Sequence, residues 1–131
     1  MDFHINPSGD LTIYRQIVAQ VLDAAAGGRI KPGEPLPSLE KTALRNGISP
    51  LTVKKAYDEL ERKGVVETRR GLGTFLKNVA PEGRESRMEE VRASARQLVV
   101  QAQLVGLPIS ELVQLIRQTE KELEAERKVN K

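Results

Sequence analysis

Apolar residues along this chain recur at two different spacings, and each change of spacing marks a new element. Between residues 11 and 27, Ile13, Tyr14, Ile17, Val18, Val21 and Leu22 follow the i, i+3, i+4 spacing of a helix with one buried face. Asp10 is placed to cap its start, and Gly27-Gly28 to stop it. A shorter helix is predicted over Leu39–Arg45, with Leu39, Ala43 and Leu44 as its apolar contacts. Ser38 precedes it as a cap, and Asn46-Gly47 ends it. Ser49-Pro50 opens a third helix with a hydroxyl at the cap and proline at the first position. It runs to Lys63 with Val53, Ala56, Tyr57 and Leu60 on one face, and Gly64 closes it. The period then shifts to that of strands. Val65–Thr68 reads as one strand, Arg69-Arg70-Gly71-Leu72-Gly73 as a turn, and Thr74–Lys77 as the return strand.

The segment between the first two helices, Arg29–Ser38, holds three prolines and a glycine, which predicts an ordered turn or a short extended stretch. Beyond the hairpin, Pro81-Glu82-Gly83 reads as a linker. A helix then extends over about Glu85–Leu104 and breaks at Gly106-Leu107-Pro108. Ser110 is placed to cap a last helix reaching about Arg127, carrying Leu112, Val113, Leu115, Ile116 and Leu123. The nearly all-charged tail from Glu120 is expected to fray. Two short helices joined by a tight glycine turn and followed by a basic hairpin are the order of a winged helix-turn-helix. The fold class expected is mainly α (α+β): a winged helix-turn-helix over residues 1–80, then a two-helix dimerisation hairpin over residues 81–131.

Composition agrees with this. The chain has 131 residues, 39% hydrophobic but only 3% aromatic, with no Trp, so its core is built from Leu, Val, Ile and Ala. The absence of Cys excludes disulfides and thiolate metal sites, and the single His4 cannot form a multi-histidine site. No apolar run has a membrane helix's length, and Met1-Asp2-Phe3-His4 has no signal-peptide character, so a cytoplasmic protein is expected. Charge adds direction. Residues 1–80 carry 12 Lys and Arg against 9 Asp and Glu, whereas residues 81–131 carry 9 against 9. All of the excess lies in the first part, which suits a polyanion touching one end of the molecule.

With Val53, Ala56, Tyr57 and Leu60 facing the core, the third helix turns Leu51, Thr52, Lys54, Lys55 and Asp58 outward, mostly at its N-terminal end. Leu51 offers apolar contact to a base edge. Thr52 can reach a phosphate or a thymine methyl, and Lys54 and Lys55 guanine acceptors or phosphates. The plain alternative is a solvated amphipathic helix. At the hairpin tip, Gly71 allows a positive φ, and Arg69 and Arg70 supply two permanent charges suited to phosphates or a narrow minor groove. Gly71-x-Gly73 lacks the spacing and the following helix of a nucleotide-binding loop. The two C-terminal helices can cover only one side of each other. Pairing with a second copy is expected through Val91, Ala95, Leu98, Val99, Ala102, Leu112, Leu115 and Ile116, the alternative being packing onto the N-terminal domain. No catalytic constellation, metal site or cofactor is expected.

These residues taken together resemble the DNA-binding domain of the GntR family of bacterial regulators. The resemblance is carried by Ile13-Tyr-Arg-Gln-Ile17, Gly28-Arg-Ile-Lys-Pro-Gly33, Leu36-Pro-Ser38, Gly47-Ile-Ser49, Thr52-Val-Lys-Lys-Ala-Tyr57, Glu59-Leu-Glu61, Gly64 and Arg70-Gly-Leu-Gly-Thr-Phe75. The Ala56-Tyr57 pair and the short C-terminal part are most similar to the small YtrA-like subfamily. The resemblance implies a homodimeric repressor, often of transporter genes, with DNA contacts at Ser49, Pro50, Leu51, Thr52, Lys54, Arg70 and Gly71. Two positions depart from the family's pattern. Glu40 stands where an arginine usually meets DNA, with Lys41 or Arg45 as substitutes for its charge, and Pro50 stands where longer members often have arginine. Partners implied are double-stranded DNA and a second copy of the chain, with no membrane; an effector is left open. A winged-helix protein-interaction module binding an acidic partner is the competing function.

Overall fold

Ile17, Val21, Val53 and Leu60 have no exposed surface, and the first half of the molecule is organised around them. The computed structural model describes residues 1–78 and 81–129. It divides into two units, Met1–Asn78 and Val79–Lys131.

In the first unit, α1 (Ile13–Ala26) buries Ile17, Val18, Val21 and Ala24, one helical face. Its cap is not Asp10, which lies outside the helix, but Thr12, whose side chain makes no capping bond. The start is fastened from inside instead. The Gln16 side-chain amide donates to the carbonyls of Asn6 at 2.7 Å and Leu11 at 2.8 Å, and its oxygen accepts from the Asn6 N–H at 2.8 Å. One turn on, Gln20 does the same for His4, accepting from its N–H at 2.9 Å and donating to its carbonyl at 2.8 Å. These bonds hold an N-terminal arm whose Phe3 is buried in the core, with Ile5 packed against it.

Helix α2 (Leu39–Asn46) starts at Ser38, whose hydroxyl accepts from the Lys41 N–H at 3.1 Å, and stops at Gly47 with φ 62°. Its inward face is Leu39, Thr42, Ala43 and Asn46, the i, i+3, i+4, i+7 set. Leu44, expected inside, is 85% exposed because it sits one step round the helix from Ala43. Thr42 takes the buried position. The Tyr57 hydroxyl lies 3.5 Å from the Thr42 hydroxyl and donates to the Pro37 carbonyl at 2.8 Å. Burial pushes the Tyr57 phenol above its ordinary pKa, partly offset by the Thr42 hydroxyl.

Helix α3 (Pro50–Arg62) buries Val53, Ala56, Tyr57 and Leu60. Val53 and Leu60, fully buried, each contribute about 1.5–3 kcal/mol of transfer free energy. The hairpin pairs β1 (Val66–Arg69) with β2 (Gly73–Leu76) in antiparallel register, Val66 opposite Leu76 and Arg69 opposite Gly73. It is offset from the expected strands because the Val65 N–H is taken by the Leu60 carbonyl at 2.9 Å, closing α3. The proline-rich segment runs along the free edge of β2. The Leu76 N–H donates to the Glu34 carbonyl at 2.9 Å, and the Leu36 N–H to the Thr74 carbonyl at 2.8 Å. Pro35, opposite Phe75, falls between those bonds, where no donor is required.

The second unit is a hairpin of α4 (Pro81–Leu104) and α5 (Ile109–Val129). Residues 81–83, expected as a linker, form the first turn of α4, since proline at a first helical position has no hydrogen bond to lose. Ser110 is likewise not a cap: the Leu112 N–H reaches the Pro108 carbonyl at 3.0 Å, so α5 begins at Ile109. The helix also continues through the charged stretch expected to fray, as far as Val129. Among the described residues of this unit only Ala102 and Leu112 are buried.

Candidate nucleic-acid interface

Two features converge on the surface formed by α3 and the hairpin. The start of α3 is fixed by the Ser49 hydroxyl, which accepts from the Leu51 N–H at 3.1 Å, and by Pro50. This leaves Leu51 76% exposed, with Lys54 exposed one turn on and Thr52 half-buried beside them. The hairpin is tied back to the same helix, its Thr68 hydroxyl donating to the Glu61 carboxylate at 2.5 Å.

The basic residues of this surface differ in what holds them. The Lys54 ammonium lies 2.7 Å from the Asp58 carboxylate, an i,i+4 pair along α3. Both groups are more than half exposed, so the pair is worth about 0–1 kcal/mol, weak enough for a phosphate to compete for the lysine. Lys55 stacks its ammonium 4.0 Å from the centre of the Tyr14 ring. The Arg15 side chain donates to the Tyr14 hydroxyl at 3.4 Å, which lowers that phenol's pKa, with the charges of Arg15 and Lys55 acting in the same direction. Lys55 therefore belongs to the seam between α1 and α3. Further along α3, the Arg62 guanidinium donates to Glu59 at 2.6 Å and holds its carboxyl below the ordinary range.

The two wing arginines separate in the same way. Arg69 folds back along the hairpin, its guanidinium 2.9 Å from the Glu67 carboxylate and 4.3 Å from the centre of the Phe75 ring. Glu67 and Phe75 are cross-strand partners, and Arg69, two residues after Glu67, shares their face. Arg70 stands at the tip, exposed and with no ion pair of its own among the described residues. The tip is a turn closed by the Leu72 N–H donating to the Arg69 carbonyl at 2.9 Å. Gly71, at φ 78°, occupies the position of that turn that requires a positive φ. On α2, Glu40 is exposed in the first turn and Arg45 pairs with Asp2 at 3.1 Å, while the Lys41 side chain is exposed.

The sequence therefore locates this surface but not its engagements. The i,i+4 spacing of Lys54 and Asp58 was a readable signal. The stacking of Lys55 on Tyr14 crosses between helices, and no local pattern announces it. Among the described residues, no group of three His, Asp or Glu could hold a metal ion, and no helix is long and apolar enough to cross a membrane. The expected dimer residues lie on the hairpin. Val91, Ala95, Leu98, Val99, Leu115 and Ile116 are exposed, while Ala102 and Leu112 are buried within the single chain.

A helix-turn-helix with a hairpin wing, carrying a capped, exposed helix end and a basic tip, is the architecture of a DNA-binding transcription regulator. Residues 13–76 match the model of the bacterial regulatory proteins of the gntR family, and the chain belongs to that family. It is 36% identical over 115 residues to the HTH-type transcriptional repressor YtrA of Bacillus subtilis (strain 168), covering 87% of this chain and 88% of that one. Among solved structures it is similar to a transcriptional antiterminator from Listeria monocytogenes EGD-e, with a TM-score of 0.78 and 31% identity over 94% of this chain and 92% of that one. It is also similar to YtrA from Sulfolobus acidocaldarius, a GntR-family transcription factor, with a TM-score of 0.58 and 27% identity over 92% and 98%.

Proposed function

We propose that this protein is a cytoplasmic repressor that binds a pseudo-palindromic DNA operator as a homodimer. In this reading α3 enters the major groove by its N-terminal end and the wing tip lies at the minor groove. The observation that carries it is the exposed start of α3, with Ser49, Pro50, Leu51, Thr52 and Lys54, on the helix to which a wing offering Arg70 and Gly71 is tied. Lys55 and Arg69 take a smaller part, since Tyr14 in one case and Glu67 with Phe75 in the other already hold them. Repression is supported by the likeness to the B. subtilis repressor over most of both chains.

The helical hairpin supplies the second half of the reading. Val91, Ala95, Leu98, Val99, Leu115 and Ile116 are apolar and exposed, which suits a second copy placed across a two-fold axis. Two copies would address half-sites about 34–36 Å apart or a multiple of that spacing. Ala102 and Leu112 support the hairpin from within.

The test is binding of the full chain to a labelled duplex selected from a random-sequence library. Lys54→Ala and Arg70→Ala are each expected to weaken binding about tenfold, with stability unchanged within about 0.5 kcal/mol. Normal affinity in both variants would sink the proposed surface. Log K should also fall by about 0.9 per unit of log salt for each phosphate neutralised. Capture of an acidic protein in place of DNA would favour the interaction-module reading.

A further inference from the structure

Three leucines of the first unit are far more exposed than its other large apolar residues: Leu44 at 85%, Leu51 at 76% and Leu72 at 74%. The last of these stands at the wing tip, between Gly71 and Gly73, next to Arg70. We propose that Leu72 is a specificity-determining residue, reading the minor groove as an apolar probe that admits A·T pairs and rejects G·C pairs. The proposal rests on the DNA-binding reading above and names the chemistry of one of its contacts.

Three observations carry it. First, the turn fixes the backbone that carries the side chain. Its N–H is held by the Arg69 carbonyl at 2.9 Å, one residue before β2 begins at Gly73. Second, the backbone on either side is bare. Gly71 and Gly73 have φ of 78° and 120°, and a Cβ at either would meet nothing within 4 Å. Both glycines thus serve the turn's conformation and leave open space where a groove wall could come close. Third, the charge at the tip is reduced to one arginine, because Arg69 is folded back onto Glu67 and Phe75. The tip therefore offers one cation and one apolar branched side chain, adjacent and exposed.

In the minor groove A·T and T·A pairs present only acceptors, while G·C adds the guanine N2 amino donor. A leucine on the groove floor can pack against the smooth edge of an A·T pair. The guanine amino group stands where an A·T pair has the adenine C2–H, so it blocks the leucine's approach and would lose its water without compensation. Arg70 favours the same sequence for an independent reason, the stronger negative potential of a narrow A·T groove. The two side chains thus select one base composition, one by charge and one by shape.

The test uses the full chain and the selected duplex, with each adenine replaced in turn by 2,6-diaminopurine. That base adds the N2 amino group in the minor groove and leaves the major-groove edge of the A·T pair unchanged. The wild-type chain is expected to bind about tenfold more weakly when the substitution falls at one or two positions in each half-site. Leu72→Ala is expected to bind those substituted duplexes within about twofold of the unsubstituted one. Arg70→Ala is expected to weaken both duplexes while leaving most of the discrimination in place, because one added amino group obstructs Leu72 more than it alters the groove's potential. A penalty of the same size in wild type and Leu72→Ala, or no penalty at any position, overturns the role of Leu72 and leaves DNA binding standing. Failure of the wild-type chain to select any duplex overturns both.

Discussion

The two units of this chain solve the same problem to different extents. The first closes a core of its own: α1 and α3 bury Ile17, Val21, Val53 and Leu60, and even the N-terminal arm contributes Phe3 to the core. The second has comparable helix length but buries only Ala102 and Leu112 among its described residues, leaving Leu98, Val99, Leu115 and Ile116 in solvent. Helical hairpins cannot do better alone, because each helix has one neighbour and two apolar sides. The difference teaches where self-sufficiency ends: one unit buries a core within its own fold, and the other leaves an apolar face exposed.

Three substitutions test that contrast. The largest effect is expected from Leu60→Ala, which opens a cavity at the contact of α3 with the core and should cost about 2–5 kcal/mol. Thermal unfolding followed by circular dichroism measures it, and a loss below about 1 kcal/mol would contradict the enclosed core. Next is Leu115→Glu, which places a carboxylate on the open face of α5. It should leave the unfolding of the first unit unchanged while halving the mass seen by light scattering. With the two DNA-reading units uncoupled, operator affinity should fall about a hundredfold. A mass unaffected by this charge would show that the face is not where copies meet.

The smallest effect is expected from Tyr57→Phe. Losing the bond to the Pro37 carbonyl should cost about 0.5–1.5 kcal/mol at neutral pH. The variant also changes the alkaline limb of stability. Burial raises the folded-state pKa of Tyr57 above its unfolded value of about 10. Its stabilising contribution is thus complete below pH 10 and is lost as pH rises through the folded pKa. Denaturant midpoints between pH 9 and 12 should fall less steeply in Tyr57→Phe than in wild type, and identical slopes would count against the buried phenol.

Much of this molecule was legible in the sequence, and what was missed has a common cause. The glycine, proline and serine signals at Ser38, Gly47, Ser49-Pro50, Gly64 and Gly71 located both helices of the reading unit and its wing, since each reports a local backbone requirement. The rest is hidden where two signals compete or where the deciding contact is not local. Asp10 and Ser110 are good capping residues at positions the helices did not use, because Gln16 fastened one start and Pro108 offered its carbonyl at the other. Leu44 has the hydrophobicity of a core residue, but the helical angle assigns the inward position to Thr42. Within the candidate site, charge counting found the basic residues but could not see which were engaged. Lys55 is held by the Tyr14 ring across two helices, and Arg69 by Glu67 on its own strand and by the Phe75 ring across the hairpin.

The paired glutamines of α1 show how the lone histidine is used. Four helical residues advance about 6 Å along the axis, and two residues of extended chain about 6.6 Å. Gln16 and Gln20 are therefore spaced to meet alternate peptide groups of the N-terminal arm, those of Asn6 and His4, and the helix holds the arm as a sheet edge would, with side chains in place of its peptide groups. The alternation sorts the arm into two kinds of position. Phe3 and Ile5 are selected for their side chains, which join the core, whereas His4 and Asn6 are held to α1 through their backbone amides. At position 4 the chain thus makes use of a peptide group, and the imidazole is incidental to the way the arm is held.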